Sequence, residues 1–160
     1  MKKILLTLVA LPLLCQISMA QTQRTREAEM ISGFSSIQGY TVVEITGEVL
    51  KGMSDRLGSI ASQLNGLSIA TTENASNIER MKSQVAELLS SSSLNYNMLV
   101  SVTENGREVK VATRRLGGVN NHSYLIFSSE PSQGVLVIVM GNVDINSLTG
   151  FASQFGVEIK

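Results

Sequence analysis

Tryptophan is missing from these 160 residues, cysteine and histidine occur once each, and proline occurs twice. One cysteine, Cys15, cannot close an intramolecular disulfide, and one histidine, His122, cannot seed a clustered zinc site. Asp55 and Asp144 are the only aspartates, so the closely spaced oxygen ligands of a calcium loop are lacking too. No metal or other cofactor is expected. Four phenylalanines and three tyrosines give few stacking platforms, and 13 basic side chains are balanced by 13 acidic ones. Without a basic stripe or interleaved aromatics, a nucleic-acid partner is not expected.

What is present begins with a leader. MKKILLTLVALPLLCQISMA has two lysines at its start, an apolar core from Ile4 to Cys15, and Ser18-Met19-Ala20 at its end, the build of a secretory signal peptide over residues 1–20. Its apolar core is shorter than the roughly 17–25 residues that span a bilayer as a helix, and no later segment reaches that length. No transmembrane segment is therefore expected in the mature chain. A lipid anchor at Cys15 is disfavoured because Leu14 is bulky where lipoprotein processing wants a small residue. Cleavage near Ala20 leaves a mature chain with 11 basic and 13 acidic side chains, a formal charge of −2, exported to the periplasm or the medium.

Residues 21–39 mix charge with small residues and read as an N-terminal tail, and residues 40–160 as a single domain. Tyr40 to Thr46 is rich in β-branched residues and reads as a short strand. Val49, Met53, Leu57, Ile60 and Leu64 recur at helical spacing, with Asn65-Gly66 as the stop and a short strand over Leu67 to Thr72. Ser76 and Glu79 have capping-box spacing ahead of a helix whose apolar stripe is Ile78, Met81, Val85, Leu88 and Leu89.

From Tyr96 the period becomes two. Tyr96, Met98, Val100 and Val102 alternate with Asn97, Leu99, Ser101 and Thr103, and Asn105-Gly106 has the chemistry of a two-residue hairpin turn. That turn sets a register in which Glu104 faces Arg107, Val102 faces Val109 and Val100 faces Val111. His122 to Ser128 and Val135 to Met140 read as two further strands. The fold class expected is α+β: a two-layer domain with a mainly antiparallel sheet, a meander from about residue 96 to 140, and helices on one face. The unbroken apolar run VLVIVM at 135–140 asks for a strand covered on both sides. Asp144 suits the N-cap of a following helix that contains Ile145, Leu148, Phe151 and Ala152.

No catalytic constellation emerges. His122 is the one imidazole available to a hydrolase, and no serine lies in a Gly-x-Ser-x-Gly elbow. Arg114, Arg115, Gly117 and Gly118 form the best anion-binding candidate, because guanidinium groups and successive backbone N–H groups can cradle an anion. A glycine pair between two strands serves equally well as a turn.

The hairpin ending in Glu-Asn-Gly-Arg and the closing pattern GVLVIVMGNVDINSLTGFA resemble the domain of unknown function 4252 family, small secreted proteins of Bacteroidota, over roughly Tyr40 to Phe151. That resemblance implies an envelope protein and supplies no reaction, cofactor or catalytic residue. The function expected is a non-enzymatic, exported domain that acts by contact with an envelope protein. A small-molecule or lipid carrier with an apolar cavity is the alternative, and a hydrolase built on His122 stands third.

Overall fold

The computed structural model describes residues 25–144 and 146–148. Six strands form one antiparallel sheet: β1 (Tyr40–Thr46), β2 (Leu64–Thr72), β3 (Asn97–Glu104), β4 (Arg107–Arg115), β5 (His122–Glu130) and β6 (Gln133–Gly141). Their order is β1-β2-β6-β5-β4-β3. The last four strands run as the expected meander. β6 then pairs along β2, which places it inside the sheet. Helix α1 (Arg26–Phe34) precedes β1, and α4 (Ala75–Ser90) carries the chain from β2 to the far edge at β3.

The β3–β4 hairpin has the register set by its turn. Glu104 pairs with Arg107, Val102 with Val109, Ser101 with Lys110 and Val100 with Val111. Asn105 and Gly106 take φ values of 51° and 79°, the paired positive angles that match the twist of the flanking strands. A bulge at Leu99 then resets the alternation, so Met98 pairs with Ala112 and does not continue the face of Val100 and Val102. The even alternation expected from Tyr96 onward is broken there.

The VLVIVM strand is covered on both faces. Leu136 and Ile138 point to the side of α1 and α4, where they pack with Ile31, Phe34, Met81, Val85, Leu88, Leu125 and Phe127. Val135, Val137 and Val139 point the other way, into a cluster with Leu67, Val109, Val111, Tyr124 and Ile126. Leu50, Leu64, Val143 and Leu148 complete that second cluster, with Leu57 and Ile60 packed against it. The two long helices thus share one face, while short segments reach the opposite one.

Four expectations need correction. Residues 26–34 are a helix and no tail: Thr25 caps it by accepting from the Ala28 N–H at 3.3 Å, and Ile31 and Phe34 are fully buried. The helix predicted from Val49 to Leu64 is divided into α2 (Gly47–Gly52), α3 (Ser54–Leu57) and a 3₁₀ turn over Gly58–Gln63. Met53, at φ −96° and ψ 15°, separates α2 from α3, and Gly58 ends α3, since its φ of 65° and ψ of −153° lie outside any right-handed helix. Asn65-Gly66, expected as a stop, lies inside β2 at a bulge. Finally, Asn74 and not Ser76 caps α4, accepting from the N–H groups of Ser76 at 3.0 Å and Asn77 at 3.3 Å. Glu79 is engaged by Lys82 at 2.8 Å instead of closing a capping box.

Gly141 ends β6 where two backbones come close. Its φ is 152°, and a Cβ there would stand 2.1 Å from the Gln63 carbonyl oxygen. The next residue, Asn142, donates its N–H to that same oxygen at 3.0 Å. A helical turn follows, with the Leu148 N–H bonded to the Asp144 carbonyl at 3.0 Å, as expected for a helix starting at Asp144. Phe151 and Ala152 lie outside the described residues.

Candidate functional site

Helix α1 is held at both ends, and the way it is held creates the site. At its first turn Glu27 is fully buried, although a carboxylate in that position needs strong partners to stay charged. Arg114, at the end of β4, supplies them through a two-point pair: Nη2 donates to Oε2 at 2.8 Å and Nε donates to Oε1. The Tyr96 hydroxyl donates to the same Oε1, and its ring lies 5.8 Å from the Arg114 guanidinium carbon. Burial by itself would raise the Glu27 carboxyl, but the hydrogen bonds from Arg114 and Tyr96 outweigh it and hold the group at about 2. Burial and the neighbouring Glu27 push the Tyr96 hydroxyl the other way, well above the usual tyrosine range.

At the other end of α1, Phe34 stacks on Tyr40 with ring centres 4.5 Å apart. Tyr40 donates to the Asn77 carbonyl at 2.7 Å, and the Asn77 amide donates to the Gln38 carbonyl at 3.0 Å. These bonds fix the start of α4 against the segment that follows α1. With both helices pinned to the sheet and to each other, the space between them is set by the fold and needs no ligand to open it.

That space is a cleft of about 620 Å³. Met30, Phe34, Ile37, Leu88 and Leu94 give it an apolar lining, and Arg26, Glu29 and Glu87 add charge. Gly33 opens one wall, because a Cβ built there would meet nothing within 4 Å. Gln84 lines the cleft, and its buried Oε1 has no hydrogen-bond partner among the described residues. A buried amide oxygen left unpaired costs roughly 1–3 kcal/mol, so turning this side chain toward a ligand N–H or O–H in the cleft would recover free energy. The cleft can therefore take an apolar group with a donor beside it.

The residues singled out from the sequence lie elsewhere. Arg114 serves the internal carboxylate of Glu27, while Arg115, the next residue along an extended strand, is exposed. Side chains of successive strand residues leave opposite faces, so the two guanidinium groups do not converge. Gly117 and Gly118 are exposed in the β4–β5 loop, which the Leu116 N–H closes onto the Asn121 carbonyl at 2.8 Å. Gly118 is needed there for its φ of 101°. His122 opens β5 with its ring 6.0 Å from that of Tyr124, and its buried Nδ1 has no hydrogen-bond partner among the described residues. Asp144 is exposed, and no group of three or more potential metal ligands occurs among the described residues. Nor is any described helix long and apolar enough to cross a membrane.

Residues 34–151 match the family model described as "Domain of unknown function (DUF4252)". The chain belongs to this family. No curated protein matches the sequence. The DUF4252 match includes the whole sheet and α4, hence one wall of the cleft, whereas α1 meets it only at Phe34. The other wall, from Arg26 to Gly33, comes from residues that precede the DUF4252 match yet are buried against it through Glu27 and Ile31.

Sequence reasoning missed α1. A signal was available: Thr25 followed by acidic residues at Glu27 and Glu29, then Ile31 and Phe34 at helical spacing, is a helix start. Glu27 obscured it by occupying a core-facing position, and nothing local in the sequence identifies Arg114, 87 residues away, as its counter-charge.

Proposed function

We propose that this chain is an exported domain of the bacterial cell envelope that acts without catalysis, by contact with another protein at the α1–α4 cleft. The observation that carries this reading is the cleft itself: an opening fixed on both sides, apolar within, charged in part, and lined by Gln84, whose Oε1 has no partner among the described residues. A protein segment offers the matching chemistry, an apolar side chain with polar N–H groups close beside it. Export rests on the leader-like residues 1–20. Edman sequencing of protein recovered from the envelope fraction is expected to begin at Gln21.

Gly33→Leu tests the contact, because Gly33 lines the cleft, a Cβ there meets nothing within 4 Å, and leucine adds further apolar bulk at that wall. Cross-linking in envelope extract is expected to capture a partner with the wild-type chain and to lose it with Gly33→Leu, while the melting temperature holds or rises. Equal recovery of the same proteins by both chains would overturn the reading.

A second reading is supported by the cleft volume of about 620 Å³, which falls in the range of small-molecule sites. In that case the protein is a carrier of a small apolar ligand or lipid. Native mass spectrometry of protein purified from its host separates the two. A bound mass present in the wild type and absent from Gly33→Leu favours the carrier, and a bare-chain mass in both favours the protein contact.

A further inference from the structure

The sheet ends at β1 on one side and at β3 on the other among the described residues, and the two edges are built differently. β1 carries an exposed charge, Glu44, in its middle, which is a common guard against strand addition. β3 has no proline, lysine or arginine, and its only charged residue is Glu104 at the turn. Two apolar side chains stand out from it: Met98 is 43% exposed and Val102 is 44% exposed. The bulge at Leu99 lies toward the start of the strand, leaving residues 100–104 regular.

The hairpin sets which peptide groups this edge offers. Glu104 and Arg107 flank the two-residue turn and so exchange hydrogen bonds across it, as do 102 with 109 and 100 with 111. The N–H and C=O groups of Ser101 and Thr103 therefore point away from β4.

We propose that a second copy of this chain pairs its β3 antiparallel with this edge, about a twofold axis through Val102. In that register Ser101 of each copy exchanges both backbone hydrogen bonds with Thr103 of the other, so all the outward groups of the regular segment are satisfied. Val102 meets its own counterpart on the axis, and an exposed apolar side chain is covered from both sides. The two Glu104 carboxylates are four residues apart along the ladder, about 13 Å at strand rise, which is beyond the screening length of about 8 Å at physiological salt. A similar axis near the middle of β1 would bring the two Glu44 carboxylates much closer together. The strand edge is thus self-complementary at β3 and guarded at β1.

The register has a sharp test. Residues facing across the axis form a non-hydrogen-bonded pair with Cα atoms about 4.5 Å apart, within disulfide range. Val102→Cys, in a chain carrying Cys15→Ser so that no other thiol is present, is expected to form a covalent dimer on mild oxidation. Met98→Cys in the same background, remote from the axis, is expected to remain monomeric on a non-reducing gel. Sedimentation of the reduced, unmodified chain is expected to show a monomer–dimer equilibrium. Val102→Lys, which sets two ammonium groups against each other, is expected to weaken it by about tenfold or more. Val43→Lys on the opposite edge serves as the control and is expected to leave it unchanged, with circular dichroism confirming that each variant is folded. A chain that is monomeric at every concentration would overturn the proposal, as would a dimer unaffected by Val102→Lys or a failure of Val102→Cys to cross-link.

Discussion

Glu27 and Arg114, 87 residues apart in the chain, meet as a two-point ion pair whose carboxylate is wholly out of water. The pair joins the first turn of α1 to the end of β4, and Tyr96 closes it from the residue just before β3. Removing one member strands a buried charge. Glu27→Met or Arg114→Met is therefore expected to destabilise the fold by about 3–5 kcal/mol, and the double substitution by less than either alone, because it leaves no orphan charge. Urea unfolding of the four chains in a double-mutant cycle measures this directly.

The same pair makes stability depend on acid. The Glu27 carboxyl is held at about 2 in the folded chain against an ordinary value of 4.5, so the unfolded chain takes up its proton first as the pH falls. Its contribution is complete above the ordinary value and is lost as the pH drops from about 4.5 toward 2. The urea midpoint of the wild type is expected to decline across that window more steeply than that of Glu27→Gln, which has no carboxylate there to protonate. Parallel curves would show that other carboxylates govern the acid limit.

At the start of α4, Asn74 accepts from two free N–H groups and Ser76 from none. Asn74→Ala is expected to cost about 1 kcal/mol, and Ser76→Ala only a few tenths. Thermal melts of the two variants check the assignment, and the reverse order would return the cap to Ser76.

Gly141 and Gly33 make an opposed pair. Alanine at 141 would put its Cβ 2.1 Å from the Gln63 carbonyl oxygen at a backbone angle that side chains rarely adopt. Alanine at 33 meets nothing and replaces glycine inside a helix. Gly141→Ala is expected to lose about 3 kcal/mol or more, and Gly33→Ala to gain roughly 0.5–1 kcal/mol. Differential scanning calorimetry is expected to shift the two variants in opposite directions.

The hairpin at Asn105-Gly106 was readable to the residue because turn chemistry and the alternation of its valines act over a few positions and agree with each other. The buried course of VLVIVM was readable for the same reason, since only a strand covered on both faces stays apolar at every position. The break at Gly58 was not, because the apolar spacing from Val49 to Leu64 fits one helix as well as three short segments. The backbone angles at Met53 and Gly58 decided between them. The cleft was less legible still. Its two walls are separated in sequence by two strands, and the residue that fixes one of them, Glu27, looks like surface charge until Arg114 is brought to it.

By itself, then, the sequence determined the α+β class, the register of the hairpin at Asn105-Gly106 and the apolar stripe of α4, all of which follow from periodicity and turn residues acting locally. Only the tertiary structure decided that residues 26–34 belong to the core, that a buried carboxylate is neutralised from across the domain, and that a preformed cleft lies between α1 and α4. Those outcomes depend on which distant groups share a low-dielectric interior. A charge pays for its burial only when its partner arrives with it, and chain order does not record that meeting.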